Sequence, residues 1–157
     1  MAKKKKPNQT KRISNRRARF DYDLGDGLVV GISLTGAETK SLRRGHGHIR
    51  GAYVVVKDNE LWLLNSTITG DNAVRIPEEE HTRSRKLLAK KKEIAELMAA
   101  KQQGQTIVPL EVLTGGRYIK VRISAGRGKK NYDKRQVLKK RDEQRDIQAA
   151  IKHNLSK

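Results

Sequence analysis

Hydrophobic and polar positions alternate early in the chain. Leu28, Val30, Ile32 and Leu34 alternate with Val29, Gly31 and Ser33, the two-residue period of a half-buried strand within residues 20–35. Gly36 breaks the pattern, and residues 37–45 read as a two-turn helix stopped by Gly45. Residues 52–67 predict a hairpin, with Val54–Val56 and Leu61–Leu64 as strands and Asp58-Asn59 at the turn. Ala73 to Ile76 predicts a further short strand, and Pro77 with Glu78, Glu79 and Glu80 a loop. Leu87, Ile94, Leu97 and Met98 then recur at helical spacing beside Leu88. Residues 82–103 therefore read as one long helix, capped by Thr82 or Ser84 and ended by Gly104. Thr106–Leu113 and Tyr118–Ile123 predict two strands around a turn at 114–117, with Pro109 marking an edge strand or a bulge.

About six short antiparallel strands with one short and one long helix make a mainly β fold. The expected architecture is a small OB-type β-barrel, closed or partly open, with helices over its openings; such barrels commonly bind oligonucleotides. The expected organisation is a disordered basic arm over 1–14, a barrel over 15–125 and a basic tail over 126–157. Residues 133–153 are mostly good helix formers, with Asp133 as a candidate N-cap. Val137, Gln144, Ile147 and Ile151 give this tail only a thin apolar stripe. Such a helix has no core to bury against and is marginal alone in water, so the tail is expected to fold on binding RNA.

Charge sharpens the picture. The 157-residue chain carries a formal net charge of +19, with aromatic content of only 4%. Residues 1–19 hold nine Lys/Arg and no acid, residues 126–157 eleven against four, and the middle sixteen against thirteen. A nearly balanced body thus carries two basic arms, which attract polyanions, nucleic acid first among them. The chain contains no cysteine, which excludes disulfides and thiolate metal sites. The basic start lacks an apolar segment of signal-peptide type, and no apolar run reaches membrane-spanning length, so a cytoplasmic location is expected.

Catalytic chemistry finds little support. His46-Gly-His48 is at most half a metal site, and His81 and His153 add no recognisable ligand spacing. The stretch GRGKK at 126–130 lacks the spacing of a phosphate-binding loop, and no nucleophile motif is present. No enzyme activity, cofactor or metal is expected. Nucleic-acid binding is better supported: Arg16, Arg17 and Arg19, and again Arg83, Arg85 and Lys86, form compact cationic clusters next to the body. Phe20 and Tyr22 follow the first cluster and are expected to pack at a strand start. Few stacking aromatics and no finger, zipper or RNP motif point to shape and phosphate recognition of structured RNA.

Five ordered blocks carry a resemblance: N-R-R-A-R-F-D-Y (15–22), G-I-S-L-T-G-A-E-T-K-S-L-R (31–43), R-S-R-K-L-L (83–88), V-P-L (108–110) and G-R-G-K-K-N-Y-D-K-R (126–135). Together they resemble the small protein B family, the SsrA-binding (tmRNA-binding) proteins of bacterial trans-translation. The resemblance implies binding to the tRNA-like domain of tmRNA and its delivery to stalled ribosomes. It also implies a tail occupying the small subunit's empty mRNA channel near the decoding region. Elongation factor Tu and alanyl-tRNA synthetase are implied functional associates, and a monomer is expected. By matched position, Asn15, Arg16, Arg17, Arg19, Glu38, Lys40, Ser41, Arg83, Arg85 and Lys86 are implied RNA-binding residues. Gly128, Lys129, Lys130, Tyr132, Asp133, Lys134 and Arg135 are implied tail residues acting on the ribosome. The chain departs from the family pattern at Val29, Ala37, residues 46–54 and Tyr132. The alternative reading is a general RNA chaperone or a basic ribosome-associated structural protein.

Overall fold

The computed structural model describes residues 12–155. Its centre is a ring of six antiparallel strands. They are β2 (Tyr22–Ile32), β4 (Tyr53–Lys57), β5 (Glu60–Leu64), β7 (Arg85–Leu88), β8 (Thr106–Leu113) and β9 (Lys120–Gly128). The order β8-β4-β5-β7-β2-β9 closes because β9 returns to pair with β8. β1 (Arg12–Ser14) lies along β8, and β3 (Gly47–His48) pairs separately with β6 (Thr67–Ile68). The expected mainly β class with a ring and flanking helices holds. Residues 1–11 of the expected arm lie outside the described residues, whereas Arg12–Ser14, assigned to that arm, form a strand.

Alternation builds the core. On β5, Leu61 and Leu63 are buried while Trp62 and Leu64 are half-buried, as pleating requires. They meet Leu87, Ile107, Val121 and Ile123 inside the ring. Each fully buried aliphatic side chain contributes about 1.5–3 kcal/mol. The β4–β5 hairpin turns at Asp58 and Asn59, both with positive φ, the signature of a two-residue primed turn. Pro109 produces the expected irregularity: it pairs with Ile123, Glu111 pairs with Arg122, and Leu110 is left over. Leu110 joins Val108 and Ala18 in a smaller core under the short helix α1 (Ala18–Asp21), flanked by Tyr22 and Leu24.

The largest correction concerns residues 82–103. They are not one helix: Arg85–Leu88 form β7, and α4 starts only at Lys91 and ends at Gln102. β7 joins β5 to β2 and thereby closes the ring. Its true period is two, with Arg85 and Leu87 inward and Leu88 exposed. An arginine in an inward position disguised that alternation. Other differences are smaller. Ala73 to Ile76 forms no strand, only an isolated bridge from Asp71 to Val74. Glu78–His81 form a single helical turn, α3, in place of a loop. β9 starts at Lys120 and runs to Gly128, so Tyr118 lies outside the sheet and the body extends past 125.

The tail forms α5 (Asn131–Leu155), a 25-residue helix whose described side chains are exposed beyond its first turn. Asp133 is not its N-cap. Its carboxylate accepts from the Lys130 N–H (3.2 Å), reaching back from the first turn. Gly126 pairs with Leu24 inside the ring, and a side chain there would strike the Asp23 carbonyl oxygen. Gly126→Ala is therefore expected to destabilise the fold by about 1–3 kcal/mol. Urea denaturation checks this, with amide exchange speeding first along β2 and β9; unchanged stability would show that the two strands yield freely.

Candidate nucleic-acid interface

The predicted residues separate into a buried group and an exposed group. The buried group centres on Glu38, in α2 (Gly36–Arg44). Thr35 caps this helix: its hydroxyl accepts from the Glu38 N–H (3.2 Å), while the Glu38 carboxylate accepts from the Thr35 N–H (2.9 Å). This reciprocal capping fixes the carboxylate at the helix start. Two arginines converge on it. Arg83 binds in bidentate fashion, Nε to Oε1 at 2.8 Å and Nη2 to Oε2 at 2.5 Å, and Arg85 Nε donates to Oε1 at 2.9 Å. Glu38 and Arg85 are both fully buried.

A buried guanidinium is tolerated only when its donors are matched. Arg85 Nη1 donates to the Ser66 carbonyl, the Ser66 hydroxyl and the Arg83 carbonyl, and Nη2 to the Glu80 and His81 carbonyls, all at 3.0–3.1 Å. Among the described residues no buried side-chain polar atom lacks a partner. Burial pushes the Glu38 carboxyl up. Hydrogen bonds from Arg83 and the Thr35 N–H, with the charges of Arg85 and Arg83, outweigh that push and hold it below the ordinary range. Ser41 is buried as well, its hydroxyl donating to the His46 and Thr69 carbonyls. Asn15 is buried where β1 ends: Nδ2 donates to the Ile49 and Pro109 carbonyls, and Oδ1 accepts from the Ala18 N–H. Asn15, Glu38, Ser41 and Arg85, predicted to touch RNA, thus hold the elements that carry the surface. Sequence spacing alone gave no sign of this, because it does not show which charges face inward.

The exposed group holds Arg16, Arg17, Arg19 and Lys40, with Lys86 half-buried and paired to Glu60. Arg83 shows one edge to solvent while bound to Glu38. The tail root adjoins the arginine cluster through Asp21, a residue the sequence reading passed over. Asp21 accepts from Arg17 Nε (3.1 Å) and pairs with Lys134 Nζ (3.1 Å), and its carbonyl accepts from the Lys129 N–H (2.8 Å). Burial raises the Asp21 carboxyl, but hydrogen bonds and charge from Lys134 and Arg17 together outweigh it and hold it below its usual range. Lys129 Nζ also donates to the Arg19 carbonyl (3.1 Å). Gly128, Lys130, Tyr132 and Arg135 are exposed around this junction, Gly128 as the last residue of β9. Two open grooves of about 550 and 500 Å³ flank α1; Arg19, Arg122 and Lys129 line one, and Arg17, Arg50 and Tyr53 the other. Among the described residues no group of three or more His, Asp or Glu is placed to hold a metal ion. No helix among them is long and apolar enough to cross a membrane.

A small β ring with guanidinium groups along its rim, held by a buried ionic cluster, defines a polyanion-binding domain. A family profile described as SmpB protein matches residues 12–153. An SsrA-binding protein of Ruegeria sp. (strain TM1040) is 44% identical over 155 residues, 97% of this chain and 98% of that one. Another, from Synechococcus sp. (strain JA-2-3B'a(2-13)), is 41% identical over 148 residues, 93% and 96% of the two chains. A solved chain described as "tmRNA-SmpB: a journey to the center of the bacterial ribosome" is 37% identical, with TM-score 0.64 over 77% of this chain and 86% of that one. The chain belongs to the SmpB family.

Glu38→Gln is expected to cost about 3–5 kcal/mol at neutral pH, since it leaves Arg85 charged, buried and without its counter-ion. Because the Glu38 carboxyl is depressed in the folded state, its contribution is complete above the ordinary carboxylate pKa and is lost as pH falls through the lower folded value. The gap between wild type and variant should therefore narrow on acidification. Urea titrations at several pH values check this; a gap independent of pH would contradict it.

Proposed function

We propose that this chain binds the tRNA-like domain of tmRNA and delivers it to ribosomes stalled on messages without a usable stop codon. The observation that carries this reading is the junction at Asp21. It joins the exposed Arg16, Arg17 and Arg19 cluster to the root of a basic 25-residue helix, in a chain resembling SsrA-binding proteins over nearly its whole length. The arginines grip phosphates of the RNA's folded surface, a contact set by shape and charge. Lys40 on α2, Lys86 on β7 and the free edge of Arg83 just before β7 add positive charge at other points of the surface.

The tail supplies the second half of the task. α5 buries almost no side chain, so helix formation there depends on surroundings. In the free protein it unravels beyond its first turn, and it folds inside the small subunit's empty mRNA channel, next to the decoding region. Lys129, Lys130, Lys134 and Arg135 then face ribosomal phosphates, and Tyr132, 60% exposed, stacks on a base. The protein works in the cytoplasm as a monomer, performs no chemistry itself, and acts alongside elongation factor Tu and alanyl-tRNA synthetase.

Truncation after Lys130 separates the two halves, because the ring is complete at Gly128. It should leave affinity for the tRNA-like domain within a few fold of wild type and abolish peptide tagging on stalled ribosomes. Retained tagging would refute the tail's role.

A further inference from the structure

The turn between β8 and β9 holds an aromatic group that the reading above does not use. Tyr118, expected at a strand start, sits instead in the loop and is 69% exposed. A single exposed tyrosine is ordinary. This one is fixed on two levels. The Arg117 guanidinium lies 5.3 Å from the ring centroid, over the ring. Arg43, on α2, reaches across to donate to the Arg117 carbonyl (2.8 Å) and the Gly116 carbonyl (3.3 Å). Buried Thr114 and Ile119 anchor the two ends of the loop. The loop backbone is thus tied to the body, and the ring is backed by Arg117 within the loop, before any ligand arrives.

The surroundings carry one sign of charge. Arg117 on the loop, Lys120 just after it and Arg43 reaching across to it are all exposed, and Lys40 stands one helical turn before Arg43 on α2. Residues 114–120 contain no acid. Glu111, nearby on β8, is engaged by Arg12 and Arg122. β9 runs from this loop to the tail root, so the two sites lie roughly 25–30 Å apart.

We infer that Tyr118, backed by Arg117, is a stacking platform for one unpaired nucleobase whose flanking phosphates are held by Arg43 and Lys120. The inference rests on the RNA-binding reading and adds to it a second anchor, at the opposite end of the ring from Arg16–Arg19. A π-face beside guanidinium groups suits a nucleotide, which offers a flat base and an anionic backbone together. The preset loop lowers the ordering cost of the contact.

The test uses the full chain and two probes: a transcript of the tRNA-like domain and a single-stranded oligoadenylate carrying 2-aminopurine. Tyr118→Ala should weaken oligoadenylate binding about 5- to 150-fold and remove the 2-aminopurine quenching that marks stacking. Its salt slope should stay unchanged, and Tyr118→Phe should behave as wild type. Lys120→Ala should lower the slope by roughly one phosphate contact. Oligoadenylate affinity and quenching unchanged in Tyr118→Ala would overturn the platform, even with transcript binding lost in an Arg16/Arg17/Arg19 alanine variant. Failure of the wild-type chain to bind the transcript would instead overturn the RNA-binding reading beneath it.

Discussion

The buried carboxylate of Glu38 ties together parts of the molecule that are far apart in sequence. It caps α2, fixes Arg83 at the rim and neutralises Arg85 inside the ring. Arg85 in turn binds the backbone of Ser66, Glu80 and His81, so the segment after β5 and the turn α3 are held on β7. β7 is the strand that joins β5 to β2 and completes the closed sheet. An apolar pair in place of these charges is often no less stable. The ionic version adds direction: a planar guanidinium fixes the angle of every partner it touches. Of the surface arginines, Arg83 is held directly by that frame, whereas the Arg16–Arg19 cluster is placed by α1 and the buried Asn15 at its start.

Much of the ring was legible in the chain because its signals are local. The β4–β5 hairpin follows from alternating Val and Leu around Asp58-Asn59, and the β8 bulge follows from Pro109. α2 follows from its terminators, with Gly45 at positive φ. β7 was lost for a physical reason. Its inward residues are Arg85 and Leu87, and an inward arginine breaks the apolar alternation by which a strand is read. Helical spacing in the true helix α4 then drew β7 into it. The candidate site was legible as a set of residues and not as a set of roles. The blocks that contain Asn15, Glu38, Ser41 and Arg85 are distinctive, yet all four side chains are buried. Asp21 was passed over because an acid amid arginines reads as incidental until its two cationic partners are placed in space.

The same division explains how one small chain joins two tasks. A ring with few aromatics binds through charge and shape, while its long helix has no core to stabilise it away from a partner. Asp21 joins them, placing Arg17 and Lys134 on opposite oxygens of one carboxylate. Charge alone would attract any RNA; on the function proposed above, it is the fixed spacing of the rim that discriminates among folded RNAs.

That claim meets its most direct test in competition binding near physiological salt, with the tRNA-like domain of tmRNA set against bulk tRNA of equal charge. The account predicts that the tRNA-like domain is preferred by at least about tenfold, a difference of roughly 1.4 kcal/mol. Equal displacement by both RNAs would contradict it and leave a general, charge-driven RNA-binding protein.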